Sequence, residues 1–208
     1  MTVRAAFVDV GGTLWPDAWP RPDGDGEEQV RRLGARVRGL PQGSAIELVD
    51  LLSQVTHPAS GTQLTDHLVE GALRSCGLAE LVPVEAVIEA MCLPAAGRVD
   101  LFPGARRLLR GLASRARVVI VTNTLWRRRE ALQRDFAPLG VAEHITDYVT
   151  SIDVGWRKPH PRVYDAALRA GGAAPESCIL IGDPEINDIE PARSRGMAAR
   201  SGGFPPHH

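Results

Sequence analysis

At residues 5–14 the chain reads AAFVDVGGTL, an apolar run broken by one acid, Asp9, and closed by Gly11, Gly12 and Thr13. So short a run of small and branched residues, bounded by glycines, predicts a buried strand over Ala5–Val10. A carboxylate inside such a run is costly unless it is paired. Asp9 is therefore a candidate for function, with packing alone a poor account of it.

Three further runs have the same character: Val118–Thr122, Ile145–Thr150 and Cys178–Gly182. Helical stripes separate them. Ala105, Leu108, Leu109, Leu112 and Ala113 repeat at helical spacing after Pro103 and Gly104, and Val163, Ala166, Ala167 and Ala170 do so between Pro161 and the Gly171-Gly172 stop. Strands alternating with helices predict an α/β fold, a doubly wound, Rossmann-like parallel sheet. Residues 16–99 interrupt it without a convincing strand. They open on a Pro-, Asp- and Gly-rich linker, Pro16–Gly26, and then show stripes at Val30, Leu33 and Val37, at Ile46, Val49 and Leu52, at Leu64, Leu68 and Leu73, and at Val84, Val87, Ile88 and Met91. The expected organisation is a core of residues 1–15 and 100–208 with an all-helical cap, 16–99, inserted into it.

Composition narrows the function. With 24 Lys plus Arg against 25 Asp plus Glu the formal charge is −1, which disfavours nucleic acid and anionic membranes as partners. The three cysteines are odd in number and widely spaced, so neither a disulfide framework nor a zinc knuckle is expected. No apolar run approaches the length of a membrane span, and a soluble, cytoplasmic chain is expected. Whether it is a monomer or a homodimer is not readable.

Functional groups in open parallel sheets gather at the carboxyl ends of strands. Asp9 ends the first, Thr122 and Asn123 the second, Lys158 follows the third, and Asp183 and Asp188 follow the fourth. Gly11 and Gly12 are expected to leave backbone amides free for an oxyanion. Lys158 is the only lysine among the 24 basic residues. By themselves, Lys158 could be a surface lysine, Asp183 a helix cap and Asp188 a first-turn acid.

Taken together, FVDVGGTL at 7–14, VIVTN at 119–123, RKPHPRVY at 157–164 and LIGDPEINDIEPA at 180–192 resemble the haloacid dehalogenase-like hydrolases, with LFPGARRLL at 101–109 similar to that family's return from its cap. The resemblance implies a phosphatase of a small phosphorylated metabolite. Asp9 would be the nucleophile and form an aspartyl-phosphate. Thr122 would bond the transferred group, and Lys158 would neutralise charge between nucleophile and substrate. Gly11, Gly12, Thr13 and Asn123 would help to hold the phosphate. Magnesium would be held by Asp9, the Gly11 carbonyl, Asp183 and Asp188.

The chain departs from the family pattern at Gly11, where phosphatases of this kind carry a second aspartate as general acid and base. Asp17 is the nearest spare acid, read here as a solvated loop residue. Two other readings stay open: a 2-haloacid dehalogenase, in which Asp9 displaces halide from carbon, and a catalytically weak binding protein. Arg127, Arg128 and Arg129 read as a solvated helix face. The histidines show no metal spacing, and His160 reads as a turn residue. Trp15 and Trp19 could line a pocket or pack in the core.

Overall fold

A computed structural model describes residues 2–16, 26–55, 65–95, 99–183 and 185–202. Asp17, Trp19 and Leu64 lie outside them. Five strands, β1 (Ala5–Val8), β2 (Arg117–Thr122), β3 (Asp147–Thr150), β4 (Cys178–Gly182) and β5 (Ala198–Ser201), form one parallel sheet in the order β3-β2-β1-β4-β5. The central strand β1 is fully buried, as a strand covered by helices on both faces must be. Its Ala5 pairs with Arg117 on one side and Cys178 on the other.

Two strands begin or end away from the apolar runs. β1 stops at Val8 because the chain then curls, with the Val10 carbonyl accepting the amides of Thr13, Leu14 and Trp15. β3 starts at Asp147 because Ala142–His144 form a 3-10 turn just before it. β5 was not expected at all: its sequence, AARS, is half exposed at the sheet edge and carries no apolar run.

Helices cover both faces. Val8, Val118 and Ile120 face α5 (Ala105–Ala113) and α6 (Arg129–Phe136), whereas Phe7, Val119 and Leu180 face α8 (Pro161–Gly171). His160 turns the chain into α8 and caps it, its Nδ1 accepting the Arg162 amide at 3.3 Å. Trp15 is fully buried with its ring 4.9 Å from that of Phe136, so it is a core residue. Residues 27–91 supply α1 (Glu27–Arg36), α2 (Gln42–Ser53), α3 (Thr65–Ser75) and α4 (Val84–Met91), which pack around one apolar cluster that Ile152 and Trp126 also join. In α2 the buried stripe is Ala45, Leu48, Val49 and Leu52, and Ile46 stands 48% exposed.

The arginine run is not a solvated face. Arg127 and Arg128 precede α6, Arg129 opens it, and Arg127 turns inward. Its Nε bonds Asp135 at 2.9 Å, Asp135 accepts the Ala95 amide at 2.8 Å, and an Arg127 Nη reaches the Leu93 carbonyl. Arg128 meets Asp66 of α3, Glu85 of α4 and Asp153 of α7 (Ser151–Val154), and Arg129 meets Asp147.

Close packing of α8 on β1 is testable at Gly171, where an added Cβ would stand 2.9 Å from Ala5 Cβ and 2.9 Å from Phe7 Cε1. Overpacking costs about 1–3 kcal/mol, against a helix-propensity gain of about 1 kcal/mol for alanine. Gly171→Ala should therefore lower the urea midpoint. A raised midpoint would mean that α8 is free to move off the sheet.

Candidate active site

The strand order reverses between β1 and β4, since the chain steps from β1 outward to β2 and β3 and then returns to lay β4 on β1's other side. A crevice opens at such a switch point beyond the carboxyl ends of the strands. Asp9 leaves β1 and Asp183 leaves β4 at that place, and the Asp9 amide donates to Ile181 of β4 at 2.9 Å.

Lys158 enters the crevice from the loop after α7. Its Nζ donates to Asp9 Oδ1 at 2.7 Å, to Asp188 Oδ1 at 2.7 Å and to the Val121 carbonyl at 3.1 Å. These contacts use all three protons of an ammonium. The side chain is buried, which favours the neutral amine, but Asp188 and Asp9 outweigh burial and hold its pKa well above the usual lysine range. It is a cation at every physiological pH.

Asp188 is fully buried inside a π-turn, Glu185–Ile189. Burial pushes its carboxyl up to about 6, and Lys158 opposes the shift while Asp9 and Asp183 add to it. One oxygen, Oδ2, is buried without a hydrogen-bond partner. Asp9, Asp183 and Asp188 bring one carboxylate oxygen each to within 4.8 Å of one another. One ammonium cannot balance three carboxylates, so the crevice favours a further cation, and an all-carboxylate donor set suits a hard one.

Two glycines make room for these acids. A Cβ on Gly12, whose φ is +71°, would stand 2.6 Å from Asp183 Cγ, and one on Gly182 would stand 2.5 Å from Asp188 Cγ. The Gly12 and Thr13 amides, however, are not free for an oxyanion. They donate to Trp15 at 2.8 Å and to Val10 at 3.1 Å, because the turn closes on itself. The Thr13 hydroxyl is buried without a partner. Gly11 sits in the same turn and forms a lone bridge with Trp15.

Thr122 is buried at the end of β2, one residue beyond the Val121 carbonyl that receives Lys158. Asn123 turns its carboxamide to the Lys158 main chain, donating to the carbonyl at 3.1 Å and accepting the amide at 2.8 Å. Neither that contact nor the close approach at Gly182 was expected from the sequence. The first joins residues 35 apart in the chain, and the second follows from the π-turn Glu185–Ile189 folding Asp188 back onto Gly182, which only the isolated GD step at 182–183 marked.

The family model for haloacid dehalogenase-like hydrolases matches residues 3–196. The chain belongs to this family. A phosphoserine phosphatase of Thermus thermophilus is 35% identical to this hydrolase over 108 residues, which are 49% of the chain and 40% of that relative. The hydrolase thus spans less than half the length of that protein. Among solved structures, a phosphatase of the family from Thermococcus onnurineus superposes with a TM-score of 0.53 at 18% identity, over 95% of this chain and 85% of that one. A 2-haloacid dehalogenase from Pseudomonas syringae pv. Tomato DC3000 gives 0.51 at 18% identity, with the same two coverages. Such likeness shows the fold and is shared by both chemistries. Among the described residues no helix is long and apolar enough to cross a membrane.

Two outcomes follow from this packing. Gly182→Ala should push the Asp188 carboxylate off Lys158 and lower stability by about 1–3 kcal/mol, the cost of overpacking; an unchanged urea midpoint would contradict the geometry. Since Asp188 binds its proton more tightly in the folded chain, it favours folding below pH 4, and that contribution is lost as pH rises toward about 6. Urea unfolding of the chelated protein between pH 4 and 7 should show this decline, and Asp188→Asn should lack it.

Proposed function

We propose that this hydrolase is a magnesium-dependent phosphatase of a small phosphorylated metabolite, with Asp9 as nucleophile. The observation that carries the reading is the buried Asp9-Lys158-Asp188 chain with Asp183 beside it. The phosphatase relative supports it as well.

Asp9 Oδ1 is bound to the Lys158 ammonium, which leaves Oδ2 for in-line attack at phosphorus. The new bond is Asp9 O–P, and the bond that breaks joins phosphorus to the leaving-group oxygen. Water then attacks the aspartyl-phosphate, releasing inorganic phosphate and restoring the carboxylate. Lys158 counters negative charge at the reacting phosphoryl group, and Thr122 would donate to one of its oxygens. Asp9, Asp183, Asp188 and the Gly11 carbonyl would hold magnesium, which when bound supplies charge that lets a carboxylate approach a phosphate dianion. Residues 16–99 would close over the site as a cap. That α1–α4 gather most of one apolar cluster among themselves supports this role.

Gly11 has no side chain with which to move a proton. Loss of a positioned general acid costs about 10² to 10⁴ in rate, so a leaving group that departs readily as an anion is favoured. A dehalogenase has no use for three converging carboxylates, since halide displacement from carbon needs no metal.

With magnesium, the chain should hydrolyse an activated aryl phosphate, and chelation or Asp9→Asn should abolish turnover. Rates should fall steeply across aryl phosphates as the leaving group becomes more basic. Activity that survives Asp9→Asn would sink the mechanism, and a flat leaving-group dependence would mean that another residue donates the proton.

A further inference from the structure

Lys158 has no helix or strand to aim it. It sits in the loop between α7 and α8, and burial of its side chain means that a small change in the path of that loop would withdraw the ammonium from both carboxylates. The main chain at Lys158 is nevertheless held on both sides of its Cα by one side chain. Asn123 Nδ2 donates to the Lys158 carbonyl at 3.1 Å, and Asn123 Oδ1 accepts the Lys158 amide at 2.8 Å. A carboxamide used this way mimics the neighbouring strand of a sheet, and it fixes rotation as well as distance. Asn123 is itself steadied. The next residue, Thr124, donates its amide to Ser151 Oγ at 2.9 Å and accepts the Ser151 hydroxyl on its carbonyl at 2.8 Å, both bonds being buried.

We infer that Asn123 is the positioning residue of Lys158: its carboxamide clasps the Lys158 backbone so that the ammonium is delivered between Asp9 and Asp188. The inference rests on the reading of Lys158 as partner of the nucleophile, and it replaces a phosphate-binding role for the Asn123 side chain, both of whose polar atoms are engaged by the main chain. Asn123→Ala removes both bonds while leaving Asp9, Asp188 and Lys158 in the chain. The expected consequence is a kcat lowered by about 10²-fold, the effect of a misplacement near 1 Å, with KM little changed.

Because Lys158 is the only lysine, an amine-selective acylating ester followed by peptide mass spectrometry reads this side chain alone, without any need for turnover. Lys158 of the unaltered chain should acylate slowly, and Asn123→Ala should raise that rate at least about tenfold, as a side chain released from its buried site becomes accessible to the reagent. An acylation rate equal to that of the unaltered chain in a folded variant overturns the inference, as does a raised KM with kcat preserved, which would mark a substrate contact. Should Asn123→Ala not fold, hydrogen exchange on the unaltered chain decides: the Lys158 amide should be protected, and exchange at the rate of an open loop overturns the clasp. If the unaltered chain shows no phosphatase activity, the proposed function fails separately, while acylation and exchange still settle the role of Asn123.

Discussion

One ammonium between two buried carboxylates organises this molecule. Buried charges of this kind are tolerated only in each other's company, and Lys158 is, among the described residues, the one cation that both Asp9 and Asp188 touch. Removing one partner from such a group typically costs about 3–5 kcal/mol, because the survivors stay buried and uncompensated. The arrangement is therefore demanding as structure and useful as chemistry. It holds a carboxylate next to a fixed positive charge, where attack on an anion is otherwise opposed by repulsion.

The sheet explains why these groups meet. Asp9 and Asp183 come from strands that are neighbours in space but far apart in the chain, and the reversal of strand order keeps helices away from the crevice above them. Glycine does the remaining work at two positions. Gly12 and Gly182 lie against the Asp183 and Asp188 carboxylates with no room for a methyl group, so the acids approach the backbone as closely as atoms permit.

Four strands and the main helices were legible from short apolar runs and helical spacing, because a buried parallel strand is apolar along its whole length. β5 was not, since an edge strand of alanines, an arginine and a serine has no such signature. At the site, Asp9, Lys158, Asp183 and Asp188 were legible as residue types at strand ends, and the structure brings them together. Their ranking was not: Asp188, which reads as a helix first-turn acid, is the most deeply buried of them. Arg127 shows the same limit. Its ion pair reaches Asp135 at the far end of α6 and its other bond reaches the Leu93 carbonyl, 34 residues earlier in the chain, and a run of three arginines carries no sign that the first turns inward.

That inward arginine also ties the helical segment to the core. The chain leaving α4 is fastened at Leu93 and Ala95 to Arg127, just ahead of α6, and to Asp135, near its end, a pair with almost no solvent around it. Water cannot easily compete for such bonds. The end of α4 is thereby held to the core, as Arg128 holds α3 and α4 through Asp66 and Glu85, and the loop that carries Asn123 into the site leads directly to both arginines.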